Sequence, residues 1–273
     1  MSNFDVIKQY IMIQTLADIQ PILLIVILLL MYNLERWMPY LTGPSNKKKH
    51  DRNNFVLSII SFAVNAALSL VVLEILTRTQ ANHWGLMNYV NLPAWSEVIL
   101  GILLVDFGSY IFHNISHRVP LFWRVHRVHH SDLALNASSS LRFHPIDVAL
   151  SQCLWPCIWI VLMGISMTSF ILYGILALPL LVLQHSNFKL PYWIEDYGRY
   201  IISTPGWHKI HHADEQSLTD SHYGDVFTFW DRIFGTWKPT QPDEIRYGLK
   251  EFAAEDRQKT WFLLKSPFIN LKK

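Results

Sequence analysis

Four long apolar stretches, separated by polar segments, dominate the pattern of this chain. They cover residues 19–32, 55–76, 95–113 and 148–184. A helix needs ~20 apolar residues to cross a bilayer. The second stretch reaches this length alone, and the first nearly reaches it with its flanks. The fourth is interrupted at residues 164–169, which predicts a helical hairpin with two short legs. The pattern therefore predicts an all-α protein with several membrane-spanning helices.

The composition agrees with a bilayer as the solvent. Hydrophobic residues make up 51% of the chain and charged residues 16%, against about 25% charged residues in an ordinary soluble domain. The net charge is +2, and no basic run with interleaved aromatic residues indicates binding to nucleic acid. Two cysteines, Cys153 and Cys157, are too few for a disulfide framework.

Basic residues predict the orientation in the membrane. The loop at residues 43–54 carries three lysines and an arginine, so it should face the cytoplasm. The second helix then leaves the cytoplasm, the third returns to it at His113, and the hairpin starts and ends there. Every histidine from His113 to His222 is therefore expected on the cytoplasmic face, whether in a bacterial inner membrane or in the endoplasmic reticulum.

Histidines recur at helical spacing on this face. The segments HNISH, HRVHH and HKIHH contain His113, His117, His126, His129, His130, His208, His211 and His212. Residues three and four apart share a helix face, so each segment can aim several imidazoles at one point. Neutral imidazole binds zinc, copper, iron and nickel. Eight such histidines exceed the needs of one ion and predict two adjacent metal ions, whereas His50 and His83 are expected to be exposed and without a role.

The residue pattern also weighs against other metal proteins. The zinc-protease motif His-Glu-x-x-His is absent, and no glutamate lies inside any of the three segments. A zinc-dependent membrane hydrolase would need a placed carboxylate as acid or base. A metal-binding transporter would need ligands along a path through the membrane, whereas these histidines gather at one face.

Taken together and in this order, the three segments resemble the fatty acid hydroxylase / sterol desaturase superfamily of integral membrane di-iron oxygenases. The segments NASSSLRFHP, QHSN and DSHYGDVFTFWDRIFGTW match as well, so that the resemblance runs from about residue 106 to 237. It implies a catalytic domain at residues 96–240 that includes the membrane hairpin at about 148–184. Membrane helices at residues 1–95 would precede this domain, and a cytoplasmic tail at residues 241–273 would follow it.

The resemblance also implies a ligand set. All eight histidines named above match the metal-binding signature of the superfamily, and His185 in QHSN matches a further ligand. His144 in RFHP is either a ligand or a hydrogen-bonding support. Three residues are candidates for supporting the ligands or lining a substrate channel: Asp106, Asp220 and His222. Asp106 lies two helical turns before His113 and could equally be a buried polar contact to another helix, and the family often has Asn at the position of His222.

The activity implied by the resemblance is oxygenation of a lipid. Two Fe2+ ions would use O2 and external electrons to hydroxylate a C–H bond of a fatty acyl, sterol or related lipid; desaturation on the same site is the alternative. The sequence has no haem-binding, flavin, nicotinamide or iron–sulfur fingerprint. The electrons would therefore come from a separate protein of cytochrome or ferredoxin type.

Overall fold

Helices form almost all of the regular structure. The computed structural model describes residues 3–239 and 245–271, with side chains from residue 14 onward. The longer helices are α1 (Asn3–Trp37), α2 (Lys47–Ala81), α3 (Ala94–Arg118), α4 (Pro120–His130), α5 (Pro145–Met163) and α6 (Met167–His185). The shorter ones are α7 (Tyr192–Gly198), α8 (Pro205–His211), α9 (Gln216–Thr219), α10 (Phe229–Ile233) and α11 (Thr260–Lys265). Within the described ranges, extended pairing is limited to isolated β-bridges, which confirms the all-α prediction.

Among the described residues, five helices are long and apolar enough to cross a membrane: α1 from Gln14 onward, α2, α3, α5 and α6. They confirm the prediction of an integral membrane protein with several spans. The loop predicted at residues 43–54 is wrong over residues 47–54, because α2 already begins at Lys47. The side chain of Asn46 caps this helix by accepting the backbone N–H of Lys49 at 3.1 Å. Apolar residues mark the part of a helix that lies in lipid, not the place where the helix starts.

The turn between α5 and α6 lies at residues 164–166. Gly164 ends α5 with φ +75°, a left-handed conformation that glycine adopts without steric cost. A Cβ at this position would meet the side chain of Asn88 at 2.7 Å and the carbonyl of Trp84 at 2.8 Å. Ser166 then starts α6 by accepting the backbone N–H of Ser169.

In the part of the chain that the structure describes, the apolar core is divided among three clusters. The first joins α2 to the hairpin through Val72, Leu76, Cys153, Ile160 and Ile165. The second is built from Leu57, Val128, Phe252 and Leu263, and the third from Met31, Ala137 and Val182. Because the second cluster contains two residues from beyond position 245, the described part of the expected tail packs firmly against α2 and α4.

Glu35 joins four segments near the end of α1. Its Oε2 accepts the backbone N–H of Ala137 at 2.9 Å and that of Asn187 at 3.1 Å. Its Oε1 pairs with Lys47 Nζ at 3.1 Å. The buried carboxylate therefore fixes α1 and α2 against the two segments that flank the histidines.

Candidate metal centre

Nine histidines form two buried groups. The first group consists of His113, His117, His126, His130 and His211, and the second of His129, His185, His208 and His212. In each group, one nitrogen per residue lies within 4.8 Å of all the others. The groups are adjacent, since the rings of His130 and His212 stack with their centres 4.5 Å apart. We call them the five-histidine group and the four-histidine group.

Local helix geometry aims these side chains inward. His113 and His117 lie one turn apart at the end of α3, and α4 starts immediately afterwards with Pro120 in its first turn, where proline suits a helix. Before α8, the side chain of Thr204 caps the helix by accepting the N–H of Trp207. His-x-x-His-His at the end of α4 and of α8 then splits its imidazoles between the two groups, because neighbouring histidines point in different directions.

The nitrogens of the four-histidine group have the spacing of metal ligands. His185 Nε2 lies 2.9 Å from His129 Nε2 and 3.0 Å from His208 Nε2. His212 Nε2 lies 3.1 Å from His208 Nε2 and 3.2 Å from His185 Nε2. A metal–nitrogen distance of ~2.0–2.1 Å places neighbouring ligands roughly 2.9–3.4 Å apart, depending on the coordination geometry. The four distances therefore fit one ion.

Hydrogen bonds on the opposite ring edges leave nitrogen lone pairs of this group facing one another. His185 Nδ1 donates to the carbonyl of Leu181 at 2.7 Å, and His129 Nδ1 donates to that of Arg142 at 3.3 Å. A neutral imidazole carries one N–H, so both Nε2 atoms present lone pairs. Two lone pairs 2.9 Å apart repel each other unless a cation lies between them.

The five-histidine group has buried nitrogens without hydrogen bonds. Within the described part of the chain, Nδ1 of His117 and His130 has no hydrogen-bond partner, and neither has Nε2 of His113, His117, His126, His130 and His211. A buried polar atom left without a partner costs about 1–3 kcal/mol. A metal ion would satisfy these lone pairs together, so this group also fits a metal ion.

Carboxylates lie on the outer edges of this group. Asp147 Oδ2 is 3.1 Å from His126 Nδ1, and Asp225 Oδ1 and Asp220 Oδ1 lie 3.5 Å from the Nδ1 atoms of His113 and His117. His113 Nδ1 also donates to the carbonyl of Tyr223, and His211 Nδ1 to that of Ser221. Hydrogen-bonded partners fix the ring orientation and make the imidazole a better ligand, whereas Asp220 lies near His117 without a hydrogen bond to it.

The electrostatic setting favours the neutral form of five of these imidazoles. Burial, followed by the charge that neighbouring histidines would carry, holds the pKa of His129, His130, His208 and His212 well below the ordinary value of 6.5. The pKa of His211 is lowered in the same way. Neutral imidazole is the form that binds metal.

Comparisons with known proteins agree with this arrangement. Residues 98–236, about half of the chain, match the fatty acid hydroxylase family. The chain belongs to this family. It is 30% identical over 212 residues to alkylglycerol monooxygenase from Danio rerio, a match that covers 72% of this chain and 43% of the relative.

Two further relatives of the family were found. Ornithine lipid hydroxylase OlsE from Rhizobium tropici is 30% identical over 58% of this chain and 46% of its own length. Human lathosterol oxidase is 26% identical over 52% of this chain and 45% of its own length. The chain thus spans less than half the length of each of these relatives. No solved structure matches the chain.

Of the ten ligands predicted from the sequence, His144 alone lies outside both groups. Its Nδ1 accepts the backbone N–H of Ile146 at 3.1 Å, and its Nε2 donates to the carbonyl of Leu264 at 3.1 Å. Both ring nitrogens are therefore used in hydrogen bonds to the backbone. The structure thus places His144 as the cap of α5 and as a link to the C-terminal segment.

Asp106 holds the segment that supports the five-histidine group. Its carboxylate accepts the backbone N–H groups of Val226 and Phe227, both at 3.2 Å, and Trp230 Nε1 at 2.8 Å. The hydroxyl of Tyr173 donates to it at 3.0 Å. The buried contact to another helix, which the sequence left open, is therefore present, and it positions the chain next to Asp225.

His222 lies beside α8 and not in either group. It has φ +56°, stacks on Trp207 with 4.1 Å between ring centres, and accepts the backbone N–H of Lys238 through Nε2 at 3.0 Å. The left-handed backbone turns the chain so that the carbonyls of Ser221 and Tyr223 reach His211 and His113. His222 thus lies between the two residues whose carbonyls contact the five-histidine group.

The structure gives His50 a role that the sequence did not predict. His50 is half-buried, with Nε2 2.7 Å from Asp132 Oδ1 and Nδ1 3.0 Å from Asp51 Oδ1. Asp132 also accepts the hydroxyl of Ser139 at 2.7 Å. The expectation that His50 is exposed and without a role is wrong, because the start of α2 packs against the end of α4. His83 is exposed, as expected.

Lys209 lies inside the HKIHH segment but points away from the imidazoles. Its Nζ donates to the carbonyl of Ser186 at 2.6 Å, directly after His185. Burial lowers the pKa of this lysine to about 8. The contact fixes α8 against the end of α6, which carries His185.

Proposed function

We propose that this protein is an O2-dependent lipid hydroxylase that holds two iron ions. The observation that carries the proposal is the adjacency of two buried all-histidine groups whose inward nitrogens have the spacing of ligands. Five histidines would hold one ion and four the other. Iron bound there would supply the redox chemistry with which O2 attacks an unactivated C–H bond.

The protein's own residues prepare the site for this chemistry. The Nδ1 atoms of His126, His185 and His211 bind carboxylate or carbonyl oxygens, which holds their protons away from the metal positions. Burial of all nine histidines excludes bulk water, which protects a reactive centre from side reactions. The chain thus provides orientation, fixed tautomers for these three rings and a buried setting.

The placement of the carboxylates favours oxygenation over hydrolysis by zinc. Asp147, Asp220 and Asp225 face the outer Nδ1 atoms, whereas a hydrolase would need an acid or base beside the metal-bound water. The relatives' names as monooxygenase, hydroxylase and oxidase support the same conclusion. Desaturation of the lipid remains the alternative outcome on the same site.

The substrate would be a membrane lipid, and the electrons would come from a separate cytochrome or ferredoxin-type protein. The five-histidine group includes residues at the end of α3, and the four-histidine group includes His185 at the end of α6. Both helices are candidate membrane spans, so a lipid could reach the site without leaving the bilayer. The basic residues at the start of α2 support a cytoplasmic position for the site.

Metal analysis of the purified protein tests the proposal. We expect about two irons per chain in the wild type and about one after His208→Ala, which removes a ligand from the four-histidine group alone. His83→Ala, at an exposed histidine outside both groups, should retain both irons. Stoichiometric zinc in protein purified from iron-replete cells, without O2 consumption after iron reconstitution, would contradict the proposal.

A further inference from the structure

Two short segments expose an unusual number of large apolar side chains. Tyr192, Trp193, Tyr197, Tyr200 and Ile201 come from α7 and the residues after it, and Ile233 and Phe234 from the end of α10. Tyr192 is 79% exposed and Tyr197 74%. We call these seven residues the aromatic patch. Contiguous apolar surface of this kind marks a binding surface for protein or membrane.

The orientation of α7 is the reverse of that of a helix at an aqueous surface. Glu195 points inward, where it is buried and accepts the hydroxyl of Thr204 at 2.5 Å and the N–H of Gly206 at 3.2 Å. Tyr192, Trp193 and Tyr197 point outward. The helix therefore presents its aromatic side chains to its surroundings and keeps this carboxylate inside the protein.

The two segments form one unit. Thr228 N–H donates to the carbonyl of Ile201 at 3.1 Å, and Ser203 N–H donates to that of Val226 at 3.0 Å. Arg232 spans the junction, with its guanidinium donating to the carbonyls of Tyr200 and Arg199 at 2.9 and 3.0 Å. The basic group is thereby bound to the backbone, and it lies over the ring of Tyr200 with 4.8 Å to the ring centre.

On one side, the unit lies level with the end of a membrane helix. Lys189 N–H donates to the carbonyl of Met38 at 2.9 Å, and Tyr40 N–H donates to that of Asn187 at 2.8 Å. Met38 directly follows α1, a candidate membrane span. Tyr192 is three residues beyond Lys189, so the patch begins at the depth where α1 leaves the bilayer.

On the other side, the unit packs against the membrane part of α3. Phe107 stacks on Phe234 with 5.5 Å between ring centres and lies 4.7 Å from Trp230. It is eleven residues before the end of α3 at Arg118, which corresponds to about 16 Å along a helix. Phe234 therefore touches a membrane-spanning helix with one face and is exposed on the other.

Because the aromatic patch is continuous with two membrane helices, we infer that it is inserted into the bilayer leaflet in which α1 and α3 end. Lipid would then cover the patch. Tyr and Trp prefer the boundary between acyl chains and headgroups, and Asp196, beside Tyr192, would lie at headgroup level. Ile201 is seven residues before His208, so lipid at the patch lies beside the chain that carries the ligands. A role as the lipid's entrance rests on the proposed function, whereas insertion itself does not.

Site-directed spin labelling in lipid nanodiscs tests the insertion without any measurement of catalysis. Single cysteines are introduced as Tyr197→Cys or Ile233→Cys in a chain with Cys153→Ala and Cys157→Ala, and Ser217→Cys on the exposed side of α9 is the matched control. Labels at 197 and 233 should collide more with dissolved O2 than with a water-soluble nickel complex. The label at 217 should show the reverse.

Two results would overturn the inference. Labels at 197 and 233 that are as accessible to nickel as that at 217 would place the patch in water. Labels shielded from both reagents, with dipolar broadening between copies, would show that a second copy of the chain covers it. Photo-crosslinking from benzoylphenylalanine placed at Tyr197 needs no cysteine replacement: adducts of lipid mass support insertion, and chain–chain adducts contradict it.

Discussion

His126 Nδ1 lies 3.1 Å from Asp147 Oδ2, and both side chains are buried. This contact joins the five-histidine group to the start of α5, the first leg of the membrane hairpin. It orients His126 and leaves its Nε2 free for a metal ion. His126 and its partner come from two consecutive helices, α4 and α5, that pack together.

Asp147→Asn should weaken metal binding at the five-histidine group by roughly 10–100-fold, the usual effect of losing a carboxylate behind a ligating histidine. Titration with Fe2+ under anaerobic conditions would show one weakened and one unchanged site. Asp256→Asn, at an exposed aspartate, is the control and should bind as the wild type does. Equal binding by Asp147→Asn and the wild type would show that the contact does not support a ligand.

His185 and His144 should respond differently to substitution. His185 belongs to the four-histidine group, so His185→Ala should lose about one of the two metals. His144→Ala should retain both, because its nitrogens bond the backbone. Iron content per chain distinguishes the two variants. Loss of iron from His144→Ala in protein of unchanged thermal stability would assign it to the metal site after all.

Glu35→Ala should destabilise the protein. The substitution leaves the buried N–H groups of Ala137 and Asn187 without an acceptor, at a cost of about 1–3 kcal/mol for each group. A lower Tm in detergent would report the loss. Glu74→Ala is the control: Glu74 is exposed and pairs with Arg78 at the surface, and such pairs contribute roughly 0–1 kcal/mol. Equal Tm values for the two variants would contradict the role of Glu35.

Phe252→Ala tests whether the C-terminal segment is part of the core. Phe252 is fully buried between Leu57, Val128 and Leu263, and truncation of a buried phenylalanine costs about 3–5 kcal/mol. Phe268 is 70% exposed, so Phe268→Ala should change the free energy of unfolding by less than about 1 kcal/mol. Similar chemical denaturation curves for the two variants would show that the segment is dispensable.

The sequence predicts local features well and remote contacts poorly. The spacing of the eight histidines predicts shared helix faces, and apolar runs predict the spans, because both depend on residues close in the chain. Asp147 and Asp225 were not found, since nothing near them in sequence relates them to His126 and His113. His50 was misjudged for the same reason, as its partner Asp132 is 82 residues away.

The resemblance to a family supplied what spacing could not. His185 stands alone in its segment and entered the ligand set only through that resemblance. The structure adds the physical reason, which is the convergence of its Nε2 with those of His129, His208 and His212. For His144 the resemblance left a ligand or a hydrogen-bonding support open, and both of its ring nitrogens bond the backbone.

The most direct test of the account is the fate of isotopically labelled dioxygen. Membranes containing the iron-loaded protein and a compatible electron donor are incubated with the labelled gas, and the lipids are analysed by mass spectrometry. The account predicts a hydroxylated lipid with one labelled oxygen atom, absent with His211→Ala. An unsaturated lipid without label would show desaturation instead. A product that takes its oxygen from water, formed equally by His211→Ala, would contradict the account.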